Sequence, residues 1–269
     1  MDNTRGRLTK DGIRIYDDAD FAGMRAAGKL AAELLDRIAP HVRPGQSTGE
    51  LDRLITEWID AAGATSATIG YKGYQHASCI SVNHVVCHGI PGPKVLKDGD
   101  ILNIDITVIV DGWYGDSSRM YVAGKLSRKA ARLIDVTHES LMKGIEAARP
   151  GNTFGDIGHA IQTYAEANRM SVVRDFCGHG LGQVFHAPPN VLHYGRAGTG
   201  PRLEEGMFFT IEPMVNLGRA ETKVLADDWT AVTRDKSLSA QFEHSIGITA
   251  DGAEIFTGSP GGLFHPTWS

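Results

Sequence analysis

NIDITVIVDGWYGD, residues 103–116, sets two aspartates into a segment that otherwise has the Ile- and Val-rich pattern of a β-strand. Side chains alternate between the two faces of a strand, so Asp105 lies on a polar face, opposite the apolar side chains. If Asp111 and Gly112 form a two-residue hairpin turn, the return strand brings Asp116 diagonally beside Asp105. Carboxylates this close repel each other, so one must bind a proton or both must bind a cation. An edge hairpin with a solvated polar face is the alternative.

The second half of the chain repeats this arrangement. Glu212 ends the apolar segment MFFTIEP, and Glu243 stands near the start of another, QFEHSIGIT. Glutamate is uncommon in strands and costly to bury. Between these two acids, His179 is flanked by Gly178 and Gly180, whose small size lets the backbone approach a site and leaves the imidazole free to point into it. The sequence therefore indicates four acids and one histidine around one site.

This set of side chains suits two divalent cations. Four carboxylates balance the charge of two such ions, whereas without a cation their burial costs on the order of several kcal/mol per ion. That cost is comparable with the roughly 5–15 kcal/mol stability of a folded protein. Oxygen donors with one nitrogen favour Mn, Fe or Co, and admit Zn, over a soft thiolate site. The hypothesis is therefore a site for two divalent metal ions.

The composition limits the class of protein. With 269 residues and 42% apolar side chains, the chain can form a substantial hydrophobic core. The net charge of −5 and the scattered Lys and Arg side chains give no footprint for nucleic acid. We expect a cytoplasmic protein, because the N-terminus lacks a signal sequence and no segment approaches the about 20 apolar residues of a membrane span. Three cysteines without a paired spacing fit a reducing compartment.

Hydrophobic spacing predicts a duplicated α+β unit, in which two helices precede a series of strand-like segments in each half. The predicted helices cover residues 17–42, 47–63, 129–151 and 153–170. Ser47 and Glu50 form a predicted capping box at the start of the second helix. We expect a flexible N-terminal tail at residues 1–12 and a single domain at residues 13–269, with pseudo-symmetric halves at about 17–124 and 125–257.

Five segments, taken together, resemble the bacterial-type (type I) methionine aminopeptidase family. They are SVNHVVCHGIP (81–91), NIDITVIVDGWYGDSS (103–118), CGHGLGQVFHAPP (177–189), FTIEPMVN (209–216) and SLSAQFEHSI (237–246). The resemblance runs from about residue 17 to residue 257. It implies the pita-bread fold, a pseudo-twofold duplicated α+β unit around a curved antiparallel β-sheet. This fold agrees with the duplication read from the hydrophobic pattern.

The resemblance also implies the role of each acid. Asp105 would chelate one metal ion, Asp116 and Glu243 would bridge both ions, and His179 and Glu212 would hold the other. A water or hydroxide bridging the ions, its pKa lowered toward roughly 7, would be the nucleophile. Glu212 would also carry the proton from this water to the leaving amine. The two aspartates of the opening stretch would then be tolerated because cations lie on their face of the sheet.

The same resemblance implies two further catalytic histidines and a methionine pocket. His88 would contact the nitrogen side of the scissile peptide, and His186 would support the developing oxyanion. The pocket residues would be Tyr71, Tyr74, Cys79, Phe185 and Trp229. Aromatic rings and sulfur suit an unbranched thioether, although aromatic side chains are more often ordinary core residues. The other histidines are read as surface or core residues: His41, His76, His84, His138, His159, His193, His244 and His265.

The implied activity is that of a methionyl aminopeptidase, a dinuclear metal-dependent hydrolase that removes the initiator methionine from nascent proteins and peptides with a small second residue. A monomer is expected, and transient association with ribosomes is left open. The sequence departs from the family pattern at His84, where an acid is usual, and at Asp228, where Gly is common. Neither position is a predicted metal ligand.

Three alternatives differ in chemistry or in class. A proline dipeptidase or aminopeptidase P shares the five ligands but usually has a separate N-terminal domain, for which this chain has no room. Type II methionine aminopeptidases are disfavoured, because no long insertion lies between His179 and Glu212 and no zinc-finger cysteines precede residue 17. A non-catalytic binding protein on the same scaffold is disfavoured by the intact ligand set.

Overall fold

The computed structural model describes residues 5–263 and contains helices and strands in nearly the order expected. The α-helices are Asp18–Ile38 (α1), Thr48–Ala61 (α2), Arg128–Ala147 (α3) and Phe154–Ala167 (α4), with short 3₁₀ helices at Ala39–His41 and Tyr71–Gly73. At the start of α2 the predicted capping box is confirmed: the Ser47 hydroxyl accepts from the Glu50 N–H at 3.2 Å, and the Glu50 carboxylate accepts from the Ser47 N–H at 2.9 Å. No helix of the described residues is both long and apolar enough to cross a membrane.

The described residues also form seventeen β-strands. They are Arg7–Leu8 (β1), Arg14–Ile15 (β2), Thr65–Ser66 (β3), Ser78–Val82 (β4), Val85–Cys87 (β5), Asp100–Val110 (β6), Trp113–Ala123 (β7), Ser171–Val172 (β8), Gly178–Gly180 (β9), Ala187–Val191 (β10), Phe208–Ile211 (β11), Met214–Asn216 (β12), Thr222–Val224 (β13), Ala231–Thr233 (β14), Ser239–Gln241 (β15), Glu243–Thr249 (β16) and Gly252–Ile255 (β17).

Nine of these strands form one curled antiparallel sheet that joins the two halves of the chain. The strand order is β10-β9-β11-β16-β7-β6-β3, with β17 paired to β16 and β4 paired to β6. The halves meet where β7 pairs with β16, with Ser118 opposite Glu243 and Ser117 opposite His244. Helices α1 and α2 precede the strands of the first half, and α3 and α4 precede those of the second. The predicted α+β architecture is therefore confirmed.

The hairpin of β6 and β7 has the register predicted from the sequence. Thr107 lies opposite Asp116, and Asp105 lies opposite Ser118, so the two aspartates are diagonal neighbours on one face. Both turn residues have positive φ, 49° for Asp111 and 82° for Gly112, as a two-residue turn of this kind requires. The local turn chemistry thus sets the spacing of two of the predicted ligands.

Buried apolar side chains form clusters against the helices of both halves. One cluster lies under α3 and α4, a second lies under α1 and α2, and a third, smaller cluster joins the ends of the two halves through rings that include Tyr16, Trp113 and Phe208. Helix α1 comes very close to β7: a Cβ added at Gly115 would lie 2.2 Å from the carbonyl oxygen of Ala27. The absence of a side chain at Gly115 therefore permits this packing.

The N-terminal segment differs from the expected loose tail. Strands β1 and β2 pair, with Arg7 opposite Ile15, and the Arg5 guanidinium lies 2.6 Å from the buried carboxylate of Asp20 in α1. Residues 5–12 are therefore attached to the fold, because an ion pair and a short hairpin hold them. Residues 1–4 of the predicted tail, and His265, lie outside the described residues.

Candidate metal-dependent active site

A cavity of about 650 Å³ opens beside the central sheet. Its lining includes every residue to which the sequence assigned a site role: Asp105, Asp116, His179, Glu212 and Glu243 as metal ligands, His88 and His186 as catalytic histidines, and Tyr71, Tyr74, Cys79, Phe185 and Trp229 as pocket residues. The structure therefore brings the whole predicted set together, and the individual roles stay predictions. The lining also contains residues without a predicted site role, among them Cys87, Phe176 and Met214.

The five predicted ligands come from five neighbouring strands of the sheet. In spatial order they are His179 on β9, Glu212 directly after β11, Glu243 on β16, Asp116 on β7 and Asp105 on β6. Two of these strands belong to the first half of the chain and three to the second. The cluster therefore exists only when the sheet is assembled from both halves.

Distances within this cluster fit a shared cation. Ligand atoms of Asp116, His179 and Glu243 all lie within 4.8 Å of one another. The Nε2 atom of His179 lies 3.4 Å from Oδ2 of Asp116 and 3.8 Å from Oε1 of Glu212. A cation that holds its ligands at about 2.0–2.2 Å brings neighbouring ligand atoms to about 3–3.6 Å from each other. Small side-chain movements are therefore enough to close this set around an ion.

Buried negative charge dominates the electrostatics. Burial, and then the charges of Asp116 and Glu212, raise the pKa values of Asp105 and Glu243 well above their usual range. Burial also raises the pKa of Glu212 to about 7. Within residues 5–263, Asp116 and Glu212 form ion-pair contacts with His179, and none of the four acids forms one with a Lys or Arg side chain. Such a cluster is ionised only where positive charge from outside the chain balances it, and a bound divalent cation would carry that charge.

The same acids also shift the pKa of the His179 imidazole. Burial disfavours its charged form, but the hydrogen bond to Asp116 and the charge of Glu212 outweigh burial and raise its pKa. The glycines on either side confirm the need for close approach: a Cβ at Gly178 would lie 2.4 Å from the Thr210 carbonyl oxygen, and one at Gly180 would lie 2.1 Å from the Pro188 carbonyl oxygen. Strand β9 therefore fits between β10 and β11 only without side chains at these positions.

Three buried polar residues hold the acids, and none of them had a site role predicted from the sequence. The Thr107 hydroxyl donates to Oδ1 of Asp116 at 2.7 Å, and the Thr210 hydroxyl donates to Oε1 of Glu212 at 2.8 Å. His193 is fully buried, and its Nε2 accepts a hydrogen bond from the Glu212 backbone N–H at 3.1 Å. A threonine two residues from an acid on each of two strands was the signal available in the sequence.

Two further histidines face the cavity in neutral form. Burial, reinforced by the charge of His179, lowers the pKa of His186 to about 4, and burial lowers the pKa of His88. The rings of His186 and His179 are 4.1 Å apart at their centroids. His88 has a φ of 56° and packs edge-on against Phe176 at 5.5 Å. Neutral imidazoles can donate or accept hydrogen bonds without adding charge to the cluster.

Aromatic rings form one wall of the cavity. Tyr71 lies 4.9 Å from Phe185, and Tyr74 lies 4.9 Å from Trp229, between ring centroids. The Tyr74 hydroxyl donates to the Ser78 carbonyl at 2.9 Å, so this ring is fixed at both ends. Asp228, which departs from the family pattern, has a φ of 61°. Aspartate adopts this left-handed region more readily than most residues, so the turn before Trp229 forms without glycine.

Comparison with known proteins defines the class. A model described as metallopeptidase family M24 matches residues 22–250. The chain therefore belongs to metallopeptidase family M24. Within that family it is similar to the methionine aminopeptidase of Rickettsia prowazekii (strain Madrid E), at 58% identity over 95% of this chain and 99% of the relative. It is also similar to the methionine aminopeptidase of Escherichia coli (strain K12), at 51% identity over 91% of this chain and 94% of the relative.

Solved structures agree with these sequence relatives. The crystal structure of methionine aminopeptidase from Rickettsia prowazekii superposes with a TM-score of 0.90, covering 91% of this chain and 99% of that chain. The methionine aminopeptidase from Thermotoga maritima gives 0.89 at 40% identity, covering 91% and 99%. The prolidase from Pyrococcus horikoshii OT3 gives 0.71 at 20% identity, with 90% of this chain but only 63% of that chain covered. This last likeness shows the fold alone, and the set confirms the predicted pita-bread fold.

Proposed function

We propose that this chain is a metal-dependent methionine aminopeptidase, which removes the N-terminal methionine from peptides and nascent proteins whose second residue is small. One observation carries the proposal: five adjacent strands bring four acids and His179 into one buried cluster beside an aromatic cavity. Full-length relatives at 51–58% identity that bear the name methionine aminopeptidase support the choice of substrate.

Two divalent cations fit the acids of this cluster. Asp105, Asp116, Glu212 and Glu243 would hold them together with His179, which agrees with the raised pKa values of the buried acids. Donors of this kind favour Mn, Fe, Co or Zn. When bound, such cations supply positive charge that polarises a scissile carbonyl and lowers the pKa of a water molecule.

Glu212 would carry the proton during the reaction. Its carboxylate lies in the cluster, where the Thr210 hydroxyl holds it, and would accept a proton from water and return it to the leaving amine. His186 would donate a hydrogen bond to the carbonyl oxygen as negative charge develops there, and His88 would contact the peptide nitrogen. Both histidines are neutral, as these roles require.

The aromatic wall of the cavity would bind the methionine side chain. Tyr71 and Phe185 form one pair of rings in this wall, Tyr74 and Trp229 form another, and Cys79 lines the same cavity. A thioether gains favourable contacts with ring edges, about 0.3–1.5 kcal/mol each. Selection for a small second residue would follow from limited access between this wall and the acid cluster.

The single catalytic domain of residues 13–269 would act as a cytoplasmic monomer on free peptide N-termini, with transient contact to ribosomes. One sheet containing strands from both halves supports a single domain within the described residues. Three cysteines without a disulfide support a reducing compartment.

The proposal is tested by peptide cleavage with Mn²⁺, Fe²⁺, Co²⁺ or Zn²⁺ added to chelator-treated protein. We expect release of methionine from Met-Ala-Ser and no cleavage of Ala-Pro. The matched control is Asp116→Ala, which removes a predicted bridging ligand and should lose at least about 10²-fold in kcat while keeping the circular dichroism of the wild type. Cleavage of Xaa-Pro without cleavage of Met-Ala-Ser would favour a proline-specific peptidase, and inactivity with all four metals would favour a binding protein.

A further inference from the structure

We propose that Thr210 is a positioning residue, which joins His179 to Glu212 and fixes the Glu212 carboxylate for cation binding and proton transfer. The inference rests on the proposed function for the reaction that Glu212 serves, but its central claim concerns the geometry of two ligands. Thr210 would not touch substrate. It would act through the two side chains that do the chemistry.

Burial and hydrogen bonding define what Thr210 can do. Its side chain lies on β11 and is fully buried. The hydroxyl oxygen accepts a hydrogen bond from the His179 backbone N–H at 3.0 Å, and the hydroxyl lies 2.8 Å from Oε1 of Glu212. A backbone N–H can only donate, so the single hydroxyl proton is left for Glu212. The direction of both bonds is therefore fixed, and one side chain connects strands β9 and β11.

The orientation of Glu212 depends on this contact. Glu212 follows the end of β11 directly, so its side chain is not held within a regular strand. His193 holds the Glu212 backbone N–H at 3.1 Å, and the Gln241 amide lies 3.3 Å from the other carboxylate oxygen. Thr210 makes the shorter of the two side-chain contacts to the carboxylate. It therefore keeps Oε1 at 3.8 Å from Nε2 of His179, where both atoms can face one cation.

The threonine on the other side of the site has a narrower role. Thr107 contacts Asp116 across the pair of strands β6 and β7, and its hydroxyl serves that one ligand. Thr210 contacts the side chain two residues further along the chain, just past the end of β11, and also the backbone of a ligand on β9. Loss of the Thr210 hydroxyl would therefore disturb two ligands together, because the His179 N–H and the Glu212 carboxylate would both lose this contact.

Two matched pairs of variants separate the hydroxyl from the methyl group. Thr210→Val keeps the shape of the wild-type side chain without the hydroxyl, and Thr210→Ser keeps the hydroxyl without the methyl group. If Thr210→Val does not fold, Thr210→Ser and Thr210→Ala form the second pair, since they differ only in the hydroxyl. Folding is followed by circular dichroism and urea denaturation of the full chain.

The first readout is calorimetric titration of Mn²⁺ into chelator-treated protein, and the second is kcat and KM with Met-Ala-Ser. We expect the variant without a hydroxyl to bind Mn²⁺ about 10–100-fold more weakly and to lose kcat with little change in KM, while Thr210→Ser stays within about threefold of wild type on both measurements. Wild-type Mn²⁺ affinity in Thr210→Val, or in Thr210→Ala if Val does not fold, would overturn the proposal. So would an equal loss in a folded Thr210→Ser, because packing of the methyl group would then explain it.

The aminopeptidase assignment and the positioning role of Thr210 can be refuted independently of each other. If the wild type binds Mn²⁺ but does not cleave Met-Ala-Ser, the aminopeptidase assignment is wrong, and the titration still decides the role of Thr210. If the wild type cleaves Met-Ala-Ser and the hydroxyl-free variants bind Mn²⁺ normally, the assignment stands and the positioning role is wrong.

Discussion

Burial controls the ionisation of single residues around the candidate site. It raises the pKa of Glu212 to about 7 and lowers that of His186 to about 4, because a charged group of either sign loses hydration. The acids therefore stay protonated unless a cation balances their charge, whereas the histidines stay neutral and serve as hydrogen-bond partners. His244, next to the predicted ligand Glu243, belongs to the second group.

His244 gives a prediction for stability against pH. Burial, followed by the charges of Arg119 and His138, lowers its pKa to about 3, below the value of about 6.5 in an unfolded chain. The unfolded state therefore takes up a proton first, so stability falls as pH drops from 6.5 toward 3. We expect His244→Asn, whose side chain can still form a hydrogen bond with the Thr257 hydroxyl, to lose about 2 kcal/mol less than wild type between pH 7 and pH 5. Urea denaturation at both pH values measures this.

Other buried histidines titrate in both proteins and cancel in this comparison, so the difference reports His244 alone. Equal losses of stability in wild type and His244→Asn would mean that His244 accepts a proton in the folded state, and would contradict a pKa of about 3. A larger loss in the variant would have the same consequence.

The predicted ligands and the two predicted catalytic histidines could be placed from sequence because each stands in one of the five segments that carry the family resemblance. The contacts of Thr210 and His193 could not be predicted in this way, because they depend on which strands are neighbours. His193 follows β10, yet it contacts the backbone of Glu212 after β11. A histidine that accepts a hydrogen bond from a distant backbone N–H follows no sequence pattern that could predict this contact.

At the level of elements, prediction succeeded where a segment is long or has distinctive turn chemistry. The β6–β7 hairpin was predicted with its register, because Asp-Gly selects a two-residue turn. Strands β1, β3, β9 and β13 were not predicted, since two or three residues carry no hydrophobic period. Strand β9 consists of Gly178, His179 and Gly180, and only its neighbours make it a strand.

The contact of α1 with β7 gives a prediction at this scale. A Cβ at Gly115 would lie 2.2 Å from the carbonyl oxygen of Ala27, and both groups belong to backbone that cannot move alone. We expect Gly115→Ala to lower the free energy of unfolding by about 1–3 kcal/mol through overpacking. Urea denaturation measures the loss. Because Asp116 is the next residue on β7, the variant should also bind Mn²⁺ more weakly.

The control for this prediction is Gly258→Ala. A Cβ at Gly258 would meet no atom within 4 Å. This variant should therefore have wild-type stability or slightly more, since alanine restricts the unfolded chain. If Gly115→Ala proved as stable as the control, the close packing of α1 on β7 would not be needed for the fold.

At the scale of the whole molecule, the site links folding to cation binding. Asp105 and Asp116 come from the first half, His179, Glu212 and Glu243 come from the second, and the halves meet at β7 and β16. The sequence showed that the pattern of helices and strands repeats. It could not show how the two units face each other, because that depends on pairing between residues more than 100 positions apart, such as Ser118 with Glu243. Ions that bind this cluster stabilise the folded chain specifically.

Protons compete with cations for this site, which predicts the pH dependence of cation binding. Glu212, with a pKa of about 7, holds a proton at pH 6 and has lost it at pH 8, and the pKa of His179 is also raised. These protons must leave before a cation binds, so we expect Mn²⁺ affinity to rise at least about tenfold from pH 6 to pH 8.

Urea denaturation with and without Mn²⁺ measures this effect. At one Mn²⁺ concentration that saturates the site at both pH values, the gain in the free energy of unfolding that Mn²⁺ causes should be larger at pH 8 than at pH 6 by about 1.4 kcal/mol or more. Subtracting the metal-free protein at each pH removes the titration of distant histidines. Asp116→Ala should show no gain at either pH, and an equal gain at both pH values in wild type would mean that the acids are already ionised without a cation.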